Sequence, residues 1–240
     1  MSVTRLLILG AVRIFQPAHG YLLRRELTSW HADDWANLNP GSIYNALRSL
    51  TRDGLLREQL SEQRPAGPRG EPQPPTGRPR PAARASYSLT PDGEAHFLGL
   101  VRTAIWQVHL FEPAWLAAGI SFWWVLTRAE ALAGLSARRA RLEGDLAWCG
   151  LQADAMISSP ATPDHVAEHF RLSQAMIRGE IAWVDDVSVR LSQGAYAFAG
   201  EDRDCGLQVS GPAMMPSATA SVRAAGSVRA AGATRPDNQS

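Results

Sequence analysis

Residues 39–55 read N-P-G-S-I-Y-N-A-L-R-S-L-T-R-D-G-L, and residues 87–93 read Y-S-L-T-P-D-G. Pro40 stands where proline favours the first turn of a helix, and Asp53-Gly54 supplies a stop. At about 100° per residue, Ile43, Ala46, Leu47 and Leu50 fall on one side of a helix over 40–53. Asn45, Arg48 and Arg52 fall on the other, flanked by Tyr44 and Ser49. Leu55–Leu60 and Ala85–Leu89 read as the two strands of a hairpin. Thr90, followed by Pro91, Asp92 and Glu94, reads as the cap of a helix running to about Leu110.

Upstream, Leu6, Leu7, Leu9, Ala11 and Ile14 suit a first helix buried on most sides. A second, about 21–29, turns Leu22, Leu23 and Leu27 inward and Arg24 and Arg25 outward. Residues 33–39 are expected to be a plain connection. Three helices followed by a hairpin make a winged helix-turn-helix, so the fold class is mainly α, with antiparallel C-terminal dimerisation helices after the winged domain. Its polar helix face is suited to base edges, since Asn pairs with adenine and Arg with guanine. Ser42 and the first-turn amides suit a phosphate. An ordinary amphipathic helix with a solvated face has the same periodicity; the order of the elements is what favours DNA.

The segment 61–84 holds 7 of the chain's 16 prolines, three glycines and five arginines. Such a composition buries too little apolar surface to order itself, and predicts a long mobile wing. Within it, Arg78 and Arg80 of the Gly-Arg-Pro-Arg-Pro run suit the minor groove, or else diffuse phosphate contacts, as does Arg84.

Charge is segregated. Residues 1–90 carry 12 Arg against 7 acids, and residues 91–199 carry 8 Arg against 12 acids. The positive end therefore coincides with the winged part. All 24 basic residues are Arg, which a GC-rich coding sequence explains without any reference to DNA binding. The 45% hydrophobic content supports a core. Cys149 and Cys205 make neither a metal spacing nor a disulfide framework. Leu6–Leu9 is interrupted at Arg13 and is not a signal peptide, and no stretch approaches the about 20 apolar residues that span a bilayer. A cytoplasmic protein without a membrane partner is expected.

After residue 110, residues 111–127 form an aromatic connector. Its Trp115, Phe122, Trp123 and Trp124 suit either a pocket for a small aromatic effector or ordinary core. From 128 to 195, apolar residues recur with a period of about 3.5 in two helices divided by Pro160 and Pro163. Leu135, Leu142, Leu146, Ile177, Val184 and Leu191 are assigned to a homodimer interface, with Trp183 at its margin. Arg139 and Glu180 sit in the seam, either paired with one another or each reaching water at a helix edge. Residues 200–240, rich in Ala, Gly, Ser and Pro, are expected to be disordered.

His165 and His169 stand at i, i+4 without a third ligand, and no Walker loop, nucleophile elbow or dinucleotide fingerprint is present. No catalytic residue, metal or cofactor is expected.

The ordered set L-L-I-L-G-A-V, H-G-Y-L-L-R-R-E-L, G-S-I-Y-N-A-L-R-S-L-T-R-D-G-L and Y-S-L-T-P-D-G resembles the PadR family of bacterial transcription regulators. R-A-E-A-L-A-G-L-S-A-R-R-A-R-L-E and G-E-I-A-W-V-D-D-V resemble its C-terminal helical region. The likeness covers roughly residues 4–193. It implies a dimeric winged-helix regulator, usually a repressor, on an inverted repeat of double-stranded DNA, released by a small molecule. The recognition helix corresponds to about 42–52. Asn45 departs from the proline or small residue common there, and the wing is longer than usual. The alternative is a winged-helix module that docks a protein and not DNA.

Overall fold

The computed structural model describes residues 2–61 and 84–201. The wing insertion with Arg78 and Arg80, and the tail from residue 202, lie outside the described residues, as does the side chain of Arg84.

The chain is mainly helical, with one small antiparallel sheet. Helix α1 (Val3–Phe15) is the centre of the N-terminal half, and every residue from Leu6 to Val12 is buried. A two-residue strand β1 (Ala18–His19) leads into α2 (Gly20–Ser29). A single turn, α3 (Ala32–Trp35), stands where an irregular connection was expected. Helix α4 (Pro40–Arg52) has the Asn39 side chain as its cap, accepting from the Ser42 N–H at 2.9 Å. Its end is a Schellman arrangement: the Leu55 N–H reaches the Leu50 carbonyl, the Gly54 N–H reaches Thr51, and Gly54 takes a left-handed φ of 74°.

Strands β2 (Leu56–Ser61) and β3 (Arg84–Leu89) pair antiparallel, with Leu56 opposite Leu89 and Glu58 opposite Tyr87. Strand β1 adds to the other edge of β3, giving the order β1-β3-β2. Two residues are too short to show period-two alternation, so this third strand is not visible in the sequence.

The Thr-Pro-Asp-Gly run fixes the base of the hairpin. Thr90 Oγ1 accepts from the Gly93 N–H at 3.0 Å and donates to the Gly54 carbonyl at 2.7 Å. A Cβ on Gly93 would lie 2.0 Å from the Leu55 carbonyl oxygen, so helix α5 (Pro91–Trp106) can approach the end of α4 only because a glycine stands there. Helix α5 stops at Trp106, short of the expected Leu110.

The aromatic connector is helix α6 (Pro113–Phe122) and a 3-10 turn (Trp123–Val125). Phe122 enters the N-terminal core, edge-on to Phe97 and Trp30, against the bare Cα of Gly10. Trp115 is buried in the same core, whereas Trp123 belongs to the core of the C-terminal helices. Trp124 lies under the Arg13 guanidinium at 5.2 Å. Trp115 and Phe122 thus lie in one core and Trp123 in the other, with Trp124 partly buried against both.

Helix α7 (Arg128–Ile157), opened by a Thr127/Glu130 capping box, and α8 (Ala167–Ser192) form an antiparallel pair. Their seam is filled from within the chain. Leu135, Leu142, Ile177, Val184 and Leu191 are 0–1% exposed, and Leu146 packs half-buried beside them. The residues assigned from sequence to a dimer interface are therefore spent between α7 and α8. A 3.5-residue period marks helix-on-helix packing without saying whose helix is the partner.

Of the two alternatives for Arg139 and Glu180, the mutual pair is not formed, and Arg139 takes the helix-edge position. Arg138, 2% exposed, donates from Nε to Glu180 Oε1 at 2.5 Å. Its Nη1 donates to the carbonyls of Ala104, Ile105 and Gln107, at 3.2, 3.3 and 2.6 Å. Arg139 lies at the exposed edge with Asp185 and Glu143. Among the described residues no helix is long and apolar enough to cross a membrane.

Two stability outcomes follow from this packing. Gly93→Ala should lower unfolding stability by about 1–3 kcal/mol, because backbone and not a pliable side chain must give way; urea denaturation measures it. Glu130 accepts from the Thr127 N–H and pairs with Arg102, and its carboxyl is depressed from 4.5 to about 2, first by that backbone hydrogen bond. A depressed folded pKa contributes stability that is complete above the unfolded value and lost as pH falls towards 2. Glu130→Gln should flatten the stability profile between about pH 4.5 and 2; an unchanged slope would contradict the cap's role.

Candidate nucleic-acid interface

Helix α4 presents its polar face because its opposite face is anchored: Ile43, Leu47 and Leu50 are buried against the N-terminal core. Asn45, Arg48 and Arg52 are exposed, and Ser42 and Ser49 are half-buried. The structure thus brings the expected α4 residues onto one surface. It also shows them engaged with one another. Arg48 Nη2 donates to Asn45 Oδ1 at 2.7 Å, leaving the Asn45 amide N–H groups outward. Arg52 donates to Ser49 Oγ at 3.3 Å and lies 3.5 Å from Asp53.

Asp53 is a carboxylate at the negative end of α4, where the helix dipole disfavours it. Arg5 compensates at 3.0 Å, and its hydrogen bond is the main reason the Asp53 carboxyl is held below the usual range; Arg52 adds to this. Ser42 Oγ donates to the Asn39 carbonyl at 2.7 Å, so this hydroxyl is part of the cap as well as of the surface.

The two arginines of α2 differ. Arg24 lies over the exposed Tyr21 ring at 5.7 Å. Arg25 is paired through Nε and Nη2 with Glu26 Oε1, at 3.0 and 2.6 Å. Glu26 is 8% exposed, a buried carboxylate that the periodicity did not single out.

Between the first turn of α2, Tyr44 of α4 and strand β3 lies an open hollow of about 600 Å³. It contains Tyr21, Tyr44 and Tyr87, three of the chain's four tyrosines. Tyr87 donates to Glu58 Oε1 at 3.3 Å; burial, and then the Glu58 carboxylate, push its phenol up from the usual value, so it stays a protonated donor. His19 Nδ1 lies 3.1 Å from the Ala85 carbonyl oxygen. A Cβ on Gly20 would come within 2.9 Å of the Tyr44 ring, so the glycine lets that ring lie against α2. Sequence reasoning missed the hollow. Its one signal was the alternation on β3, which places Ala85 and Tyr87 on the same side. The described residues hold no group of three or more His, Cys, Asp or Glu arranged to bind a metal ion.

These elements define a winged helix-turn-helix joined to an antiparallel helical hairpin. No protein-family model matches the chain, and no curated protein matches it. Solved structures do. The chain is 17% identical to Bacillus subtilis PadR in complex with operator DNA, over 78% of this chain and 98% of that one, with a TM-score of 0.29. For the same regulator with p-coumaric acid the identity is 15%, over 79% and 99%, at 0.29. A protein of Streptococcus mutans UA159 is 16% identical over 79% and 96%, at 0.33. These likenesses are distant, and the winged-helix description rests on the chain's own helices, strands and caps.

Proposed function

We propose that the chain is a transcription regulator, a repressor, that binds an inverted repeat in duplex DNA as a homodimer and is released by a small-molecule signal. The observation that carries the reading is α4: a helix capped at both ends, buried on Ile43, Leu47 and Leu50, with Asn45, Arg48 and Arg52 exposed beside a β-hairpin. Arg48 and Asn45 read base edges in the major groove, with Ser49 and Tyr44 at their sides. Arg52, Arg24 and the first-turn amides near Ser42 hold phosphates, and Arg78, Arg80 and Arg84 extend the contact along the backbone. Arg25 is the weakest phosphate ligand of the set, because drawing it away strands Glu26.

The second copy is placed on the outer face of the hairpin. Trp148, Leu151, Leu172 and Met176 are 54, 69, 61 and 40% exposed, at helical spacings on their two helices. Ala140, Arg141, Gly144, Asp145 and Trp148 line a hollow of about 570 Å³, with room for a side chain of the other copy. A two-fold pair of heads then meets the two half-sites of a palindrome.

The test of DNA binding is affinity against salt on footprinted upstream DNA. Arg48→Ala should cost about 1–3 kcal/mol on the bound sequence and relax its specificity. Arg52→Ala should weaken all duplexes alike and reduce the salt slope by about 1. Binding with no salt dependence, or unaffected by either change, would remove the reading.

The test of the interface is sedimentation. Trp148→Glu with Leu151→Glu should give a monomer that keeps its helicity by circular dichroism. A dimer that persists would place the second copy elsewhere.

A further inference from the structure

The three-tyrosine hollow is a site in its own right. Its volume of about 600 Å³ lies within the roughly 300–1,000 Å³ typical of small-molecule sites. The walls are the rings of Tyr21, Tyr44 and Tyr87, with Leu22 and Ala85 between them. Phenol rings offer flat apolar faces and hydroxyls that donate or accept, which suits a planar guest bearing a polar edge.

The charges around it decide the guest's charge. Arg25 faces the hollow, but its guanidinium is neutralised by Glu26 at 2.6 Å. On the opposite wall the Tyr87 hydroxyl is held by the Glu58 carboxylate. An anionic guest therefore finds its arginine already paired, and a cationic guest finds Glu26 held by Arg25 and Glu58 already accepting from the Tyr87 hydroxyl.

The position decides the consequence. Tyr44 is adjacent to Asn45 and one turn before Arg48 on α4. A molecule seated among the three rings lies between Tyr44 of α4 and strand β3, where on the DNA-binding reading a duplex would approach.

We propose that the hollow binds an uncharged, flat aromatic molecule, and that its occupation excludes DNA from α4. The exclusion rests on the DNA-binding reading; the ligand site does not. Release is then direct competition at the reading head and needs no change in the spacing of two heads.

The full chain labelled with 3-fluorotyrosine tests this by 19F NMR. It gives four tyrosine resonances, assigned with single Tyr→Phe variants. Tyr196, packed against Trp123, is the internal control. Titration with 2-naphthol should shift the Tyr21, Tyr44 and Tyr87 resonances saturably and leave Tyr196 in place. Naphthalene-2-carboxylate should bind several-fold more weakly. On footprinted DNA, 2-naphthol at about nine times its own Kd should raise the DNA Kd about tenfold, as mutually exclusive binding requires. If none of the three resonances moves up to the solubility limit, or Tyr196 alone moves, the site is refuted. Equal or tighter binding of the carboxylate overturns the uncharged class. An unchanged DNA Kd at saturating 2-naphthol overturns the exclusion. Shifts of the three tyrosines in a protein that binds no duplex uphold the ligand site, and the failure is then that of the DNA reading.

Discussion

Arg138 joins the two halves of the molecule. A guanidinium removed from water is costly unless its N–H groups find acceptors. Here Nε goes to Glu180 on α8, and Nη1 goes to three carbonyls at the end of α5. The last carbonyls of a helix lack partners inside it and carry partial negative charge. Helix α5 has no basic residue in its own last turn, so α7 supplies the cation from outside. One turn earlier, the missing side chain of Gly134 lets the Trp106 ring close on α7; a Cβ there would lie 2.5 Å from it. Polar and apolar contacts thus meet at one place, and the winged head is fixed to the hairpin by a junction that neither half completes alone.

That junction also shows where the sequence stopped being legible. A heptad frame laid over α7 puts Arg139 in the seam with Glu180, whereas the structure puts Arg138 there. One residue is 100° of rotation, and a true helix drifts about 20° per heptad from the 3.5-residue repeat, so a frame set by distant leucines can be off by one at a single position. The same ambiguity explains the apolar seam: periodicity identified the buried face, but only the three-dimensional packing identifies its partner. Local signals fared better. Helix α4, its proline start and its glycine stop, the Thr90 cap and the antiparallel course of α7 and α8 were all readable, because each depends on residues within one turn. Tyr21, Tyr44 and Tyr87 lie on three separate elements, and Glu26 was hidden because its neighbour Arg25 suggested a solvated face.

The magnitudes separate the arginines of the head. The Arg48–Asn45, Arg52–Ser49 and Arg52–Asp53 contacts are exposed, and such contacts contribute about 0–1 kcal/mol. A bidentate base contact is worth about 1–3 kcal/mol, so on the proposed reading opening them on a duplex would be favourable. Arg25 is different. Its partner carboxylate is largely withdrawn from solvent, and removing one member of a withdrawn pair costs more than an exposed pair returns. The guanidinium of Arg25 therefore belongs to the fold before it belongs to a phosphate.

The geometry of the hairpin bears on how two heads would stand on DNA. Trp148 lies ten residues beyond Arg138 on a continuous helix, about 15 Å at 1.5 Å per residue. For a second copy seated on that face, two such arms in a two-fold arrangement would set the two Arg138 junctions at most about 30 Å apart. Because Arg138 and Trp106 fix the head to its arm, any tilt there would be carried to the other end of such a pair. Occupation of the tyrosine hollow acts at the opposite end of the head and leaves that junction untouched. On the proposed dimer and DNA readings, competition at α4 and a change of spacing at Arg138 would be physically separate ways of losing DNA, and a molecule that used the first would have no need of the second.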